Sequence, residues 1–414
     1  MTGLGFITSI GNDHAAVRRS LCEGRHGFEP VKFLGNPGLP VKVLGTIKGF
    51  KADTPNWRDW TYPELYQLPR ETLRGLSPHG LFALCAIEQA LADAALAATD
   101  VTDGQTGLYC ASAGSTLLAH FHVSRLLASN GERCHPLSVV SSIAGTLNFN
   151  LAAHYGIRGT VGGFVAACAS SSHALGCALD DIRLGRQTRM IIVGAEEATA
   201  ESILPFGAMG ALSQQSDPTL ASRPFDADRD GFVGSAGGVA LILEEAESAR
   251  RRGAPIYAEL AGWGSAADGY NIAISHPEGL GLKDALRRAL ADAGLRPADV
   301  DYVNAHATST PAGDRSETMA LQSVFTAAGA HPRISSTKGL TGHPLSMAGV
   351  MEAAFCALAI KDGFIPGNAH LRNPDPVCAG LDLPRETLAE RPRTVVSTSS
   401  GFGGSNVALV FKQV

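Results

Sequence analysis

The chain has 414 residues, 45% of them hydrophobic and 18% charged, with a formal net charge of −5. That is enough apolar chain for one large core or two of domain size, and no basic field exists to attract nucleic acid or an anionic membrane. No apolar run reaches the ~20 residues of a membrane-spanning helix, and "MTGLGFITSIGNDH" lacks the basic region and long apolar core of a secretory signal, so a cytoplasmic protein is expected.

In chain order, short apolar runs alternate with alanine-rich amphipathic segments. A helix is predicted at 80–96 and a strand at 106–114 that runs into a glycine turn. "GGFVAA" (162–167) reads as a buried strand, "SSHALGCALDDIRLG" (171–185) as a helix and "RMIIVGAEEA" (189–198) as the next strand. Residues 238–253 read as a strand feeding a helix that ends in arginines and Gly253. The pattern then restarts: strand 256–264, helix 281–295, strand 300–306, helix 313–327, strand 333–337 and helix 347–363. Residues 394–411 close the chain as two strands around a glycine turn. Such alternation predicts an α/β protein with largely parallel sheets covered by helices. The restart predicts two similar halves, 1–253 and 254–414, packed as one body because no linker separates them.

Three stretches can carry chemistry. Cys168, in "VAACASSSHALG", stands where a strand turns into a helix, which puts its sulfur near unpaired N–H groups and the positive end of a helix dipole. A thiolate and an oxyanion site fit that junction, and so does a small apolar filler. The other seven cysteines form no CxxC pair and read as reduced thiols. His306, in "NAHATSTPAGDRSE", leaves a strand end, where α/β proteins bind ligands; a core histidine is the competing reading. Lys338 and His343, in "SSTKGLTGHPLSMAG", flank a glycine turn that could equally be plain surface. The histidines have no HExxH spacing and no carboxylate as third ligand, so no metal site is expected. Together, one cysteine and two histidines on separate strand-end turns suggest a cysteine nucleophile with two imidazoles that stabilise an enolate after loss of CO₂.

Six stretches in order, "TGLGFITSIGN", "ACASSSHALG", "SRPFDADRDGFV", "NAHATSTPAGD", "STKGLTGHPLSMAG" and "SSGFGGSNVALVF", make the chain resemble the beta-ketoacyl-acyl-carrier-protein synthases. The resemblance implies the thiolase fold, two similar halves in αβαβα layers, usually as a homodimer. It implies no tightly bound cofactor, with substrates carried on the phosphopantetheine arm of an acyl carrier protein. It makes Cys168 the acyl-accepting nucleophile and gives His306 and His343 the malonyl decarboxylation. Lys338 and Glu317 match the family's lysine and carboxylate, read as an ion pair, with Lys338 keeping a histidine neutral. Backbone N–H groups of Cys168 and Phe402 match the oxyanion hole, Phe402 a gate, and Thr308 and Thr310 the contacts to the arm.

The chain also departs from the family pattern. Ala307 replaces a glycine, "GHPLSMAG" replaces "GHLLGAAG", and Ser235-Ala236-Gly237 replaces Gly-Glu-Gly. Asn271 and Ala273 replace a histidine and a threonine in a second loop. Gly114 aligns with a bulky acyl-pocket residue of elongating synthases. These changes are expected around the acyl pocket and gate. They suggest a specialised fatty-acid, polyketide or aryl-polyene-type condensing enzyme. The alternatives are a housekeeping elongation synthase, a chain-length-factor-like partner of a heterodimeric ketosynthase, which the retained Cys168 disfavours, and a thiolase-type acyl transferase.

Overall fold

The computed structural model describes residues 1–31 and 38–414. Two five-stranded sheets carry the fold. The first contains β1 (Gly3–Ile7), β4 (Thr106–Ala111), β5 (Val161–Phe164), β6 (Arg189–Glu196) and β7 (Gly237–Glu244). The second contains β8 (Glu259–Ala267), β9 (Tyr302–Asn304), β10 (Arg333–Ser335), β11 (Thr394–Gly401) and β12 (Ser405–Lys412). A small ribbon, β2 (Phe28–Pro30) with β3 (Val43–Gly45), lies apart from both.

The sheet orders are β1-β7-β6-β4-β5 and β8-β12-β11-β9-β10. Counted within its own half, each sheet therefore reads first, fifth, fourth, second, third. The strand directions repeat too. In each sheet the last-formed strand, β7 or β12, runs antiparallel to both neighbours, and the other pairings are parallel. The expectation of largely parallel sheets is thus corrected to mixed ones. For β11 and β12 the reason is local: only the turn Phe402–Gly404 joins them, and a parallel pair needs a long crossover.

Helices fill the layers. α1 (Pro78–Asp93) packs on β1, β6 and β7 of the first sheet. α2 (Ser170–Arg183) touches β4, β5 and β6 on one side and β8 and β12 on the other. α3 (Leu280–Asp292) covers β8 and β12 and lies beside α4 (Pro311–Val324). α5 (Ala348–Asp362) touches β6 and β7 as well as β11 and β12. So α2 and α5 form the middle layer. Every residue of α5 from Ala348 to Ile360 is buried, which its nearly uninterrupted apolar sequence allows. β6 and β7 are buried along their whole lengths, as strands covered on both faces should be. β5 differs from its predicted burial. It pairs with β4 alone, at the sheet edge, and Val165 just beyond it is 68% exposed.

The middle helices touch at their first turns. A Cβ on Gly349 would fall 2.0 Å from Ser172 Oγ and 2.8 Å from Ser172 N. Ser171 Oγ accepts a hydrogen bond from Val350 N at 3.0 Å, and Ser172 Oγ meets Ser399 Oγ of β11 at 2.8 Å. The serines after Cys168 thus tie α2 to α5 and to the second sheet. Gly349→Ala should destabilise the fold by ~1–3 kcal/mol through overpacking. A thermal unfolding midpoint equal to that of the unsubstituted chain would contradict this packing.

Candidate active site

Cys168 sits on a sharp turn between β5 and α2. Ala167 before it has φ +48, a conformation that costs a non-glycine residue energy. The turn is held by Ser170, whose Oγ donates to Ala167 O at 2.6 Å and accepts from Ala166 N at 2.8 Å. The second sheet approaches closely here. A Cβ on Gly401 would lie 2.7 Å from Ala166 O and 3.1 Å from Cys168 N. Glycine at 401 therefore lets the Phe402 turn lie beside the cysteine amide.

His306 follows β9. Glu317 of α4 holds its turn, accepting from His306 N at 3.0 Å, Ala307 N at 2.6 Å and Thr398 Oγ1 at 2.5 Å. Asp314, one turn earlier on α4, accepts from Ser309 N and from Phe225 N, both at 3.0 Å. Ser309 and Phe225 have φ +71 and +66, so the carboxylate stabilises two strained residues at once. Arg229 joins Asp314 and Asp375 at 3.5 and 2.6 Å. The "SRPFDADRDG" segment is thus a clamp on the His306 turn.

His343 precedes α5, and its N donates to Val233 O at 2.7 Å. Its Nε2 lies 2.9 Å from Cys168 Sγ. The His306 and His343 rings stand edge to face, centroids 5.2 Å apart and planes at 87°. Side chains from three separate turns, in both halves, therefore share one point.

The Lys338 reading needs one correction. Lys338 is fully buried and its Nζ pairs with Glu352, in the second turn of α5, rather than with Glu317. Glu317 is occupied by the amides of the His306 turn. Sequence reasoning missed Glu352, although it is the one acid in an otherwise apolar stretch of α5, and such a group needs a partner. Glu196, at the end of β6, was also missed. It accepts from Ala113 N at 3.1 Å and from the hydroxyl of Ser346, three residues after His343.

Burial sets the charge states. Desolvation, with Lys338 second, pushes both His306 and His343 well below the usual histidine range, and His343 lowers His306 further. Both rings are neutral at pH 7. The Cys168 thiol goes the opposite way from its helix-dipole expectation. Burial pushes it up to about 12, against the pull of Lys338 and its own backbone N–H, with Glu196 and Glu352 adding to the rise. The resting group is a thiol beside a neutral imidazole.

These groups open into a cavity of about 390 Å³. Thr308 and Thr310 line it, their hydroxyls 3.0 Å apart, as do Phe206 and Phe402, whose rings lie 6.1 Å apart. Gly403 and Gly404, next to Phe402, have φ of +78 and +74. Among the family departures, Ala273 lines the cavity, whereas the Ala307 methyl packs into the core of the second half. Gly114 does not line it. With φ +88 it abuts the backbone of residues 142–144, where any Cβ would clash at 2.7 Å.

An αβαβα fold with a cysteine and two neutral histidines at its centre defines a condensing enzyme of the thiolase class. Residues 1–249 match the beta-ketoacyl synthase N-terminal domain and residues 257–372 the C-terminal domain. The chain is 36% identical to 3-oxoacyl-[acyl-carrier-protein] synthase 1 of Escherichia coli, covering 100% of this chain and 98% of the relative. It is equally 36% identical to synthase 2 of Synechocystis, over 100% and 97%. A beta-ketoacyl synthase from Burkholderia phymatum superposes with a TM-score of 0.91 at 32% identity, over 100% of this chain and 98% of that one. A type II polyketide ketosynthase, solved with its acyl-carrier protein and a hexaketide, superposes at 0.87 with 28% identity over the same shares. The chain belongs to the beta-ketoacyl synthase family.

A proton NMR titration of the two histidine rings should find both neutral down to well below pH 6.5. The double variant Lys338→Met, Glu352→Gln removes a nearby positive charge and should raise both midpoints. Unmoved midpoints would contradict control by Lys338.

Proposed function

We propose that Cys168 carries the acyl group of a decarboxylative condensation and that His306 and His343 serve its two half-reactions. The observation that carries this reading is the 2.9 Å contact of Cys168 Sγ with His343 Nε2, with His306 packed edge-on against it, on the wall of one cavity.

Because the thiol rests protonated, acylation needs a base, and His343 is in reach. As Sγ attacks the thioester carbonyl of an acyl group on the phosphopantetheine arm of a carrier protein, His343 takes the thiol proton. The C–S bond to the arm breaks, and the proton leaves on the departing thiol. Malonyl thioester then enters. Its C–C bond to the carboxylate breaks, CO₂ departs, and the electron pair forms an enolate. A neutral imidazole can donate a hydrogen bond to that enolate oxygen, so the depressed histidine values suit this step. The enolate carbon attacks the acyl-Cys168 carbonyl. The resulting oxyanion is held by the N–H groups of Cys168 and Phe402; its collapse expels Cys168 as a thiolate, which takes up a proton from solvent by way of His343, and releases the beta-ketoacyl product. Thr308 and Thr310 guide the arm, and Phe402 gates the cavity. Lys338 acts through the histidines as a positioning charge, and Glu317 by holding the His306 turn.

The altered loops favour a specialised fatty-acid, polyketide or aryl-polyene-type substrate over the housekeeping one, Ala273 on the cavity wall being the most direct reason. Gly114 is retained in this reading as a backbone requirement of the adjoining loop. The partners are an acyl carrier protein and a second copy of the chain. Val165, Val139 and Phe149 are 68%, 62% and 45% exposed around the open edge of β5, an apolar surface and strand edge that a homodimer would cover. Two similar halves, 1–253 and 254–414, each supply part of the site. No helix among the described residues is long and apolar enough to cross a membrane, and a cytoplasmic location is the one proposed.

Cys168→Ala should abolish beta-ketoacyl product while malonyl decarboxylation persists, because the histidines remain. His306→Ala should lose decarboxylation as well, by about 10²-fold or more. Product formation by the cysteine variant would overturn the assignment. In a carrier-linked acyl panel, a preference confined to the saturated chains of housekeeping synthesis would count against a specialised substrate.

A further inference from the structure

The sequence spacing of the histidines offers no metal site, because a third ligand is missing from their neighbourhood. The fold supplies it from the other half of the chain. We propose that Cys168, His306 and His343 form a binding site for a thiophilic divalent cation of the Zn²⁺ class, whose occupancy blocks the condensing centre.

The geometry is that of a three-ligand site. The sulfur and the ring nitrogens all lie within 4.8 Å of one another, and among the described residues this is the one such group of three metal-ligating side chains. Zn–S near 2.3 Å and Zn–N near 2.0–2.1 Å place tetrahedral ligands about 3.3–3.6 Å apart. The 2.9 Å Sγ–Nε2 contact must therefore open by about 0.6 Å, and a pair as far apart as 4.8 Å must close by up to about 1.4 Å, a shift shared by the side chains on both sides. One cysteine and two neutral imidazoles are a borderline-soft set that suits zinc. All three side chains line the cavity, so the fourth position faces it and can take water or an incoming thiol. The Lys338 ammonium, which disfavours a proton on either imidazole, also opposes a cation; the Cys168 thiolate formed on binding and Glu352, paired with the lysine, offset that charge.

Binding releases one proton and forms one bond from the metal to sulfur and two to imidazole nitrogen. The Cys168 S–H bond breaks, a Zn–S bond forms on the same electron pair, and the proton passes to solvent. No electron is transferred. Bound metal removes the nucleophile and both imidazoles from use together, so inhibition is complete in each occupied chain and is reversed by a chelator.

The test is a cobalt titration of the purified, full-length, chelator-treated chain. Co²⁺ should produce thiolate-to-metal charge-transfer absorption and four-coordinate d–d bands that saturate at a single equivalent. Zn²⁺ should erase them. Cys168→Ser should remove the charge-transfer band, and His306→Ala or His343→Ala should weaken both. As a check that needs no variant, Zn²⁺ at about a hundredfold excess over its Kd should slow iodoacetamide alkylation of Cys168 about a hundredfold. The absence of thiolate bands, their survival in Cys168→Ser (as at the exposed Cys134 beside His135), or unprotected alkylation overturns the proposal. The site rests on the geometry of three side chains and not on the condensing reaction. An active synthase without cobalt bands refutes the metal site alone, whereas a Cys168→Ala chain that still condenses refutes the functional reading alone.

Discussion

The close approach of Gly349 to Ser172 is the constraint on which the site depends. Each middle-layer helix begins just after a turn that bears a reactive group. Cys168 lies two residues before the start of α2 at Ser170, and His343 a short turn before α5 at Ala348. With no side chain at 349, the first turns of α2 and α5 can touch, and the sulfur and imidazole then meet at 2.9 Å. Ser171 and Ser172 lock that crossing by bonding to α5 and to β11. A side chain at 349 would push the two turns apart and separate a pair that no sequence-local interaction holds together.

The second constraint is electrical. A lysine and a glutamate are buried together at the centre of the molecule, an arrangement whose desolvation cost commonly offsets its attraction. Its value here lies in the field it creates. The Lys338 charge and the surrounding apolar layers keep both imidazoles unprotonated, so they can accept the thiol proton at one step and donate to an enolate oxygen at another. The same burial keeps Cys168 as a thiol until a substrate carbonyl is present. The site is therefore quiet at rest, which distinguishes it from a cysteine held ionised at an exposed helix N-terminus.

Much of this was legible in the sequence, and for a common reason. Cys168, His306 and His343 each follow or precede an apolar run with a clear period, so their places at strand ends and helix starts could be read locally. The restart after Gly253 pointed to two similar halves, and the two sheets share one strand order that no sequence stretch states. What local reading missed depends on contacts between distant segments. The antiparallel placement of β12 follows from the short Phe402–Gly404 turn, whereas that of β7 between β1 and β6 joins segments far apart in the chain. The exposure of β5 follows from its position at an edge, which "GGFVAA" does not encode. Glu317 looked like the partner of Lys338, yet the amides of the His306 turn claim it, and Glu352 takes its place from within an apolar helix. Ala307 was expected around the acyl pocket, but its methyl packs into the core of the second half. Glu196 and Ser346 meet across the two halves, and neither stretch signals the other.

The claim at the centre of this account is that Cys168, alone among eight cysteines, is positioned to carry the acyl group. Intact-mass analysis followed by peptide mapping, after incubation with an acyl-loaded carrier protein and no malonyl donor, measures this directly. The account predicts one acyl adduct per chain, confined to the peptide containing Cys168. An unmodified chain, or an adduct on another cysteine such as the exposed Cys134, would contradict it.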